Sequence, residues 1–167
     1  MSIESRKQNF VLQQGFALPA DGSCSLQYGA LQFQPRIVGV LVLVGVLLQS
    51  ALWFGALSVI LFWGALVPAA NLFEAAHRAL FAGRGAHTPG PAPGPRRFAQ
   101  ALAGSFMVAI ALSLRAGNTF VAWALEGILL AAIAALVFGG FCLGSFVFHV
   151  LRGRLAFALR TLPWAKR

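Results

Sequence analysis

The stretch that decides the fold is IVGVLVLVGVLLQSALWFGALSVILFWGALV, residues 37–67. No residue in it carries a charge, and apolar runs of this kind mark membrane spans. As one helix its 31 residues would extend about 46 Å. A hydrocarbon core is only about 30 Å thick. The run is therefore one strongly tilted helix or two helices with a tight turn. Gln49-Ser50 is its only strongly polar pair and Trp53-Phe54 follows, as suits a turn at an interface. The expectation is a first span over about 36–49 and a second over about 52–70, kinked at Pro68.

The rest of the chain divides around this run. Residues 1–34 are mixed polar and read as a cytosolic or interfacial arm, with a turn at Pro19-Ala20-Asp21-Gly22. Residues 82–97, AGRGAHTPGPAPGPRR, form a Pro/Gly-rich linker. A third helix is expected over about 98–114 and a fourth over about 119–151, joined at Arg115-Ala116-Gly117-Asn118. Residues 153–167 form a basic interfacial tail. The fold class expected is all-α: an integral membrane four-helix bundle of two helical hairpins over residues 35–152.

Composition agrees with a membrane protein. Hydrophobic residues make up 59% and charged residues only 10%, against roughly 25% charged in soluble domains. The net charge of +9 is first a topology signal. With four spans, Arg6, Lys7, Arg36, Arg78, Arg84, Arg96, Arg97, Arg152, Arg154, Arg160, Lys166 and Arg167 share one side, and Arg115 stands alone on the other. The positive-inside rule then places both termini and the linker in the cytosol. One tilted helix over 37–67 would destroy this asymmetry, which favours the hairpin. The lipid bilayer is the first partner; a homo-oligomer or a membrane protein is the second. No stacking aromatics or motif point to nucleic acid, and no cofactor is implied.

The halves also rhyme. Pro35-Arg36 opens one and Pro95-Arg96 the other, and each ends in a His/Arg cluster (His77-Arg78; His149 with Arg152). A parallel duplication would produce this. So would the general likeness of any two membrane hairpins.

Six kinds of position can carry chemistry. Cys142, in GGFCLGSF, is the only plausible nucleophile, and Ser145 lies at i+3 on the same helical face. His149 is two turns on. Gly139, Gly140 and Gly144 are small enough for another helix to approach closely, so packing competes with reactivity at Cys142. Glu126 is the only carboxylate inside an expected span, and an intramembrane carboxylate is a functional hypothesis by default; Arg115 is its expected partner. Glu74-x-x-His77 has the spacing of half a di-metal site. The second copy is missing and the chain has four acidic residues, so no metal site is expected.

At PRRFAQ, where Pro95, Arg96, Arg97, Phe98, Ala99 and Gln100 stand, and at Gly140-Phe141-Cys142-Leu143-Gly144, the chain resembles a bacterial membrane family, domain of unknown function 4395. The resemblance covers about residues 35–152 and implies no established activity. The family's second cysteine falls at Ser145, so two-thiol chemistry does not carry over. The expectation is a module for partner binding or small-solute handling, not an enzyme. Its rivals are a thiol-redox or sulfur-transfer protein using Cys142, and a proton- or ion-coupled carrier using Glu126.

Overall fold

A computed structural model describes residues 3–18, 24–81 and 90–165. The turn expected at 19–22, most of the Pro/Gly linker and Lys166 lie outside these residues. The described chain is all-α: α1 (Ile3–Gln13), α2 (Cys24–Leu48), α3 (Ala51–Leu66), a 3-10 turn (Pro68–Ala70), α4 (Leu72–Phe81), α5 (Gly94–Arg115), α6 (Thr119–Val137), α7 (Leu143–Leu151) and α8 (Leu155–Arg160). Helices α2, α5 and α6 are long and apolar enough to cross a membrane; α3 is apolar but shorter.

The 37–67 run divides at Gln49-Ser50. Gln49 takes a left-handed φ of 45°, and its amide Nε2 donates to the Val46 carbonyl at 2.7 Å, closing the end of α2. The Ser50 hydroxyl accepts from Trp53 N at 3.3 Å and starts α3. Asn118 caps α6 in the same way, accepting from Val121 N at 3.3 Å.

Contacts fix the directions. Gln49 meets Glu126 at one end of the α2–α6 pair, and Gln32 Nε2 donates to the Leu136 carbonyl at 3.0 Å at the other. These helices are antiparallel. Arg97 Nε donates to the Ala65 carbonyl at 2.6 Å, and Gly104 lies against Phe62, so α3 and α5 are antiparallel too. Between them sits an apolar core including Val38, Val42, Phe54, Leu57, Leu61, Met107, Ile110 and Leu129. Outward faces are also apolar, with Leu47, Leu52 and Phe120 more than 80% exposed, as a hydrocarbon solvent permits.

Four boundaries differ from expectation. The N-terminal arm contains a helix, α1, whose Phe10 and Val11 are fully buried. Helix α2 begins at Cys24 rather than near residue 36 and runs through Pro35. Proline removes the N–H that would bond the Leu31 carbonyl; Arg96 Nη1 stands 3.5 Å from that oxygen instead. Helix α5 begins at Gly94, four residues early, with Pro95 in its first turn, where no N–H is required.

The fourth difference matters most. The span expected over 119–151 is broken. Helix α6 stops at Val137, and α7 starts at Leu143. Gly140 has φ +66°, a conformation L side chains avoid. At Gly139 an added Cβ would lie 2.5 Å from the Ala135 carbonyl oxygen. The glycine pair is a chain break, not a packing face in a continuous helix.

Candidate functional site

The break returns α7 to the start of α5. An added Cβ on Gly144 would come within 2.7 Å of Ala99 Cα, and one on Gly94 would touch Phe148 at 3.3 Å. Ser145 is fully buried and its hydroxyl donates to the Pro95 carbonyl at 3.3 Å. The small-residue face foreseen as an association surface is thus partly filled within the chain, by α5. Cys142 stands at the position just before α7 instead of lying inside a helix, and its N–H donates to Gln13 Oε1 at 2.9 Å. His149 Nε2 is 3.1 Å from the Gln13 carbonyl. A carbonyl only accepts, so Nε2 carries the proton. Cys142 and Cys24 are buried and form no disulfide.

These contacts wall one side of a polar cluster centred on Arg96. Its side chain is 5% exposed. Nη1 donates to Gln14 Oε1 at 3.3 Å, and Nη2 to Gln34 Oε1 at 3.1 Å. Gln100, one turn along α5, donates through Nε2 to the same Gln34 oxygen at 2.9 Å. The amide orientations follow. Arginine can only donate, so Gln34 presents its oxygen to Arg96, and Gln100 must present its nitrogen to Gln34. Arg96 Nε and Gln100 Oε1 are left buried without a hydrogen-bond partner, as are Asn71 Nδ2, Gln13 Nε2, His149 Nδ1 and Glu74 Oε1. Each such group costs about 1–3 kcal/mol unless something meets it.

Two cavities adjoin the guanidinium. One of about 90 Å³ is lined by Arg96, Gln14, Gln34, Gln100 and Cys142, with apolar walls from Val38, Leu61 and Ile133. The other, about 20 Å³, lies among Gln34, Arg96, Glu74 and His77. It has room for about one water. Burial pushes the Glu74 carboxyl above its ordinary range, against the opposing pull of Arg96 and Arg78. His77 is pushed down by burial, and its ring packs against Phe33 and Phe81. Glu74 and His77, considered as metal ligands in the sequence, therefore border the Arg96 cluster. Among the described residues no three metal-ligating side chains gather.

Glu126 lies at the opposite end of α6, 2% exposed. Its partner is not Arg115, which is exposed, but Gln49, whose Nε2 donates to both carboxylate oxygens at 3.2 and 3.0 Å. Trp123 Nε1 donates to the Gln49 oxygen at 3.1 Å. The apolar core separates this group from the Arg96 cluster.

Sequence reasoning took Arg96 as a topology charge and, with Gln100, as part of the PRRFAQ resemblance, assigned neither a binding role, and passed over Gln13, Gln14 and Gln34. One signal was available: Arg96 and Gln100 stand four apart at the start of an apolar helix, so they share a face.

No curated protein and no solved structure matches the chain. The family described as "Domain of unknown function (DUF4395)" matches residues 29–153, most of the chain and all of the helices from α3 to α7, and the chain belongs to that family.

Proposed function

We propose that the protein is a four-span module of the bacterial inner membrane, cytosolic at both ends, that binds a small anion at Arg96. The observation that carries the binding site is the guanidinium itself. It is buried, every hydrogen-bond partner it has is neutral, and a cavity of about 90 Å³ lies beside it. The neighbouring carboxylate, Glu74, lines the small cavity beside the guanidinium and acts on it through space without a hydrogen bond, and a buried charge without a hydrogen-bonded counter-charge is costly. An anion in the cavity supplies that charge and meets the vacant Nε; a protonated oxygen on the same anion would meet Gln100 Oε1. This is the small-solute reading of the sequence given a chemical class.

Four spans are supported by the twelve-to-one arginine and lysine asymmetry and by the Gln49–Glu126 contact, which puts the 49–50 turn near the start of α6. Helix α3, at 16 residues, covers about 24 Å and needs a locally thinned bilayer or the adjoining 3-10 turn to span. A cysteine at Ala116 should react with an impermeant thiol reagent from outside intact cells. Labelling only after lysis would overturn four spans.

Binding is tested by calorimetric titration of the full chain in detergent with formate, acetate, bicarbonate and nitrate. Wild type should bind at least one of them at one site per chain, and Arg96→Met should bind none. No binding by wild type would sink the proposal. Sulfur or thiol chemistry is a second reading, because Cys142 lines the same cavity as Arg96. Unchanged cellular function in Cys142→Ala would reject it. The carrier reading through Glu126 gains nothing from the apolar core, which separates that carboxylate from the Arg96 cluster.

A further inference from the structure

A second site lies outside the Arg96 cluster, on the outer surface between α2 and α6. A groove of about 430 Å³ runs there, lined by Gly39, Val40, Leu43, Leu130, Ile133 and Ala134, with Arg36 at one end beside Val137 and Phe138. The groove exists because small residues line it. Gly39 is pressed against Ile133, whose Cγ2 would be 3.0 Å from an added Cβ, and Ala134 keeps the α6 side low. Along α2 it extends from Arg36 to Leu43, about 10 Å of helix rise, roughly a third of the hydrocarbon thickness.

Its charged end has one sign. Arg36 is exposed. Arg6, from α1, reaches the same place and donates through Nη2 to the Phe138 carbonyl at 3.0 Å. No carboxylate is among the residues lining the groove. An apolar channel at hydrocarbon depth, ending in two guanidiniums, matches an acyl chain below a negatively charged phosphate. Basic pockets between membrane helices select anionic lipids in this way. We infer that the α2–α6 groove is a binding site for an anionic phospholipid, with one acyl chain along Gly39 and Ala134 and the headgroup phosphate between Arg36 and Arg6. The site makes α1 part of the lipid contact, since Arg6 is carried to the groove by the N-terminal helix.

The test is native mass spectrometry of the full chain released from micelles holding equal phosphatidylglycerol and phosphatidylcholine. Wild type should retain phosphatidylglycerol preferentially. Each arginine near a surface contributes about a fivefold preference. Arg36→Gln should lower the preference about fivefold, and Arg6→Gln with Arg36→Gln should bring the two lipids close to parity. Gly39→Leu, which fills the groove and keeps both charges, should reduce retention of bound lipid altogether. Arg115→Gln, remote from the groove, should change nothing. Equal retention of the two lipids by wild type would overturn the site. So would a preference that survives in the double variant, or one that Arg115→Gln lowers as much as Arg36→Gln does. None of these outcomes depends on whether Arg96 binds an anion.

Discussion

Arg96 Nη2 and Gln34 Oε1 meet at 3.1 Å and tie the start of α5 to the middle of α2. The same oxygen accepts from Gln100, so one amide oxygen serves two donors. Gln34→Leu would leave both donors without it inside a buried cluster. The expected loss is about 3 kcal/mol of stability, read as a lower unfolding midpoint in detergent. A loss below about 0.5 kcal/mol would mean that water already shares these bonds.

The α5–α7 contact depends on a missing side chain. Gly144→Ala puts a Cβ within 2.7 Å of Ala99 Cα and Cβ. Backbone must move, and overpacking of this kind costs about 1–3 kcal/mol. Gly127, inside α6, has nothing within 4 Å of an added Cβ. Gly127→Ala should therefore be neutral or stabilise by about 0.5–1 kcal/mol. Thermal unfolding of the two variants checks both signs at once.

Glu126 depends on Gln49 and not on Arg115. Gln49→Leu removes the donor to both carboxylate oxygens and should cost about 2 kcal/mol. Arg115→Ala should stay within about 0.5 kcal/mol of wild type, as exposed substitutions do. A larger loss in Arg115→Ala than in Gln49→Leu would restore the ion pair expected from sequence.

Acid and base act oppositely on α4. Burial raises the Glu74 carboxyl above its ordinary 4.5. Just above pH 4.5 the folded chain then holds more protons than the unfolded one, so stability falls as pH rises through that window and then levels. Burial lowers His77 from 6.5. Here the unfolded chain holds more protons just below 6.5, so stability rises with pH up to 6.5 and is flat above. Unfolding midpoints against pH should lose the first slope in Glu74→Gln and the second in His77→Phe. Unchanged profiles would remove both groups from the account.

What was legible in the sequence was local. The helical class follows from uncharged runs longer than any strand, and the division at Gln49-Ser50 follows from a polar pair with its own cap. What was not legible depended on neighbours distant in sequence. Gly139-Gly140 reads equally as packing or as a break, and only the arrival of α7 against Ala99 decides. The Glu4, Arg6 and Lys7 charges in α1 mask Phe10 and Val11, which are buried by α2. Arg96 and Arg97 look alike as a pair. One is enclosed by Gln14 just after α1, Gln34 of α2 and Gln100 of its own helix; the other is exposed and bonds the Ala65 carbonyl. The topology rule weighs the two equally because it counts charge without asking what surrounds it.

The central claim is that Arg96 awaits a negative charge. Gln34→Glu provides one internally, with nearly the same shape. Titration of wild type and Gln34→Glu with the same small monoanions, both shown to be folded, is the most direct test. Wild type should bind and Gln34→Glu should not. Equal binding by the two proteins, or none by wild type, would contradict the account.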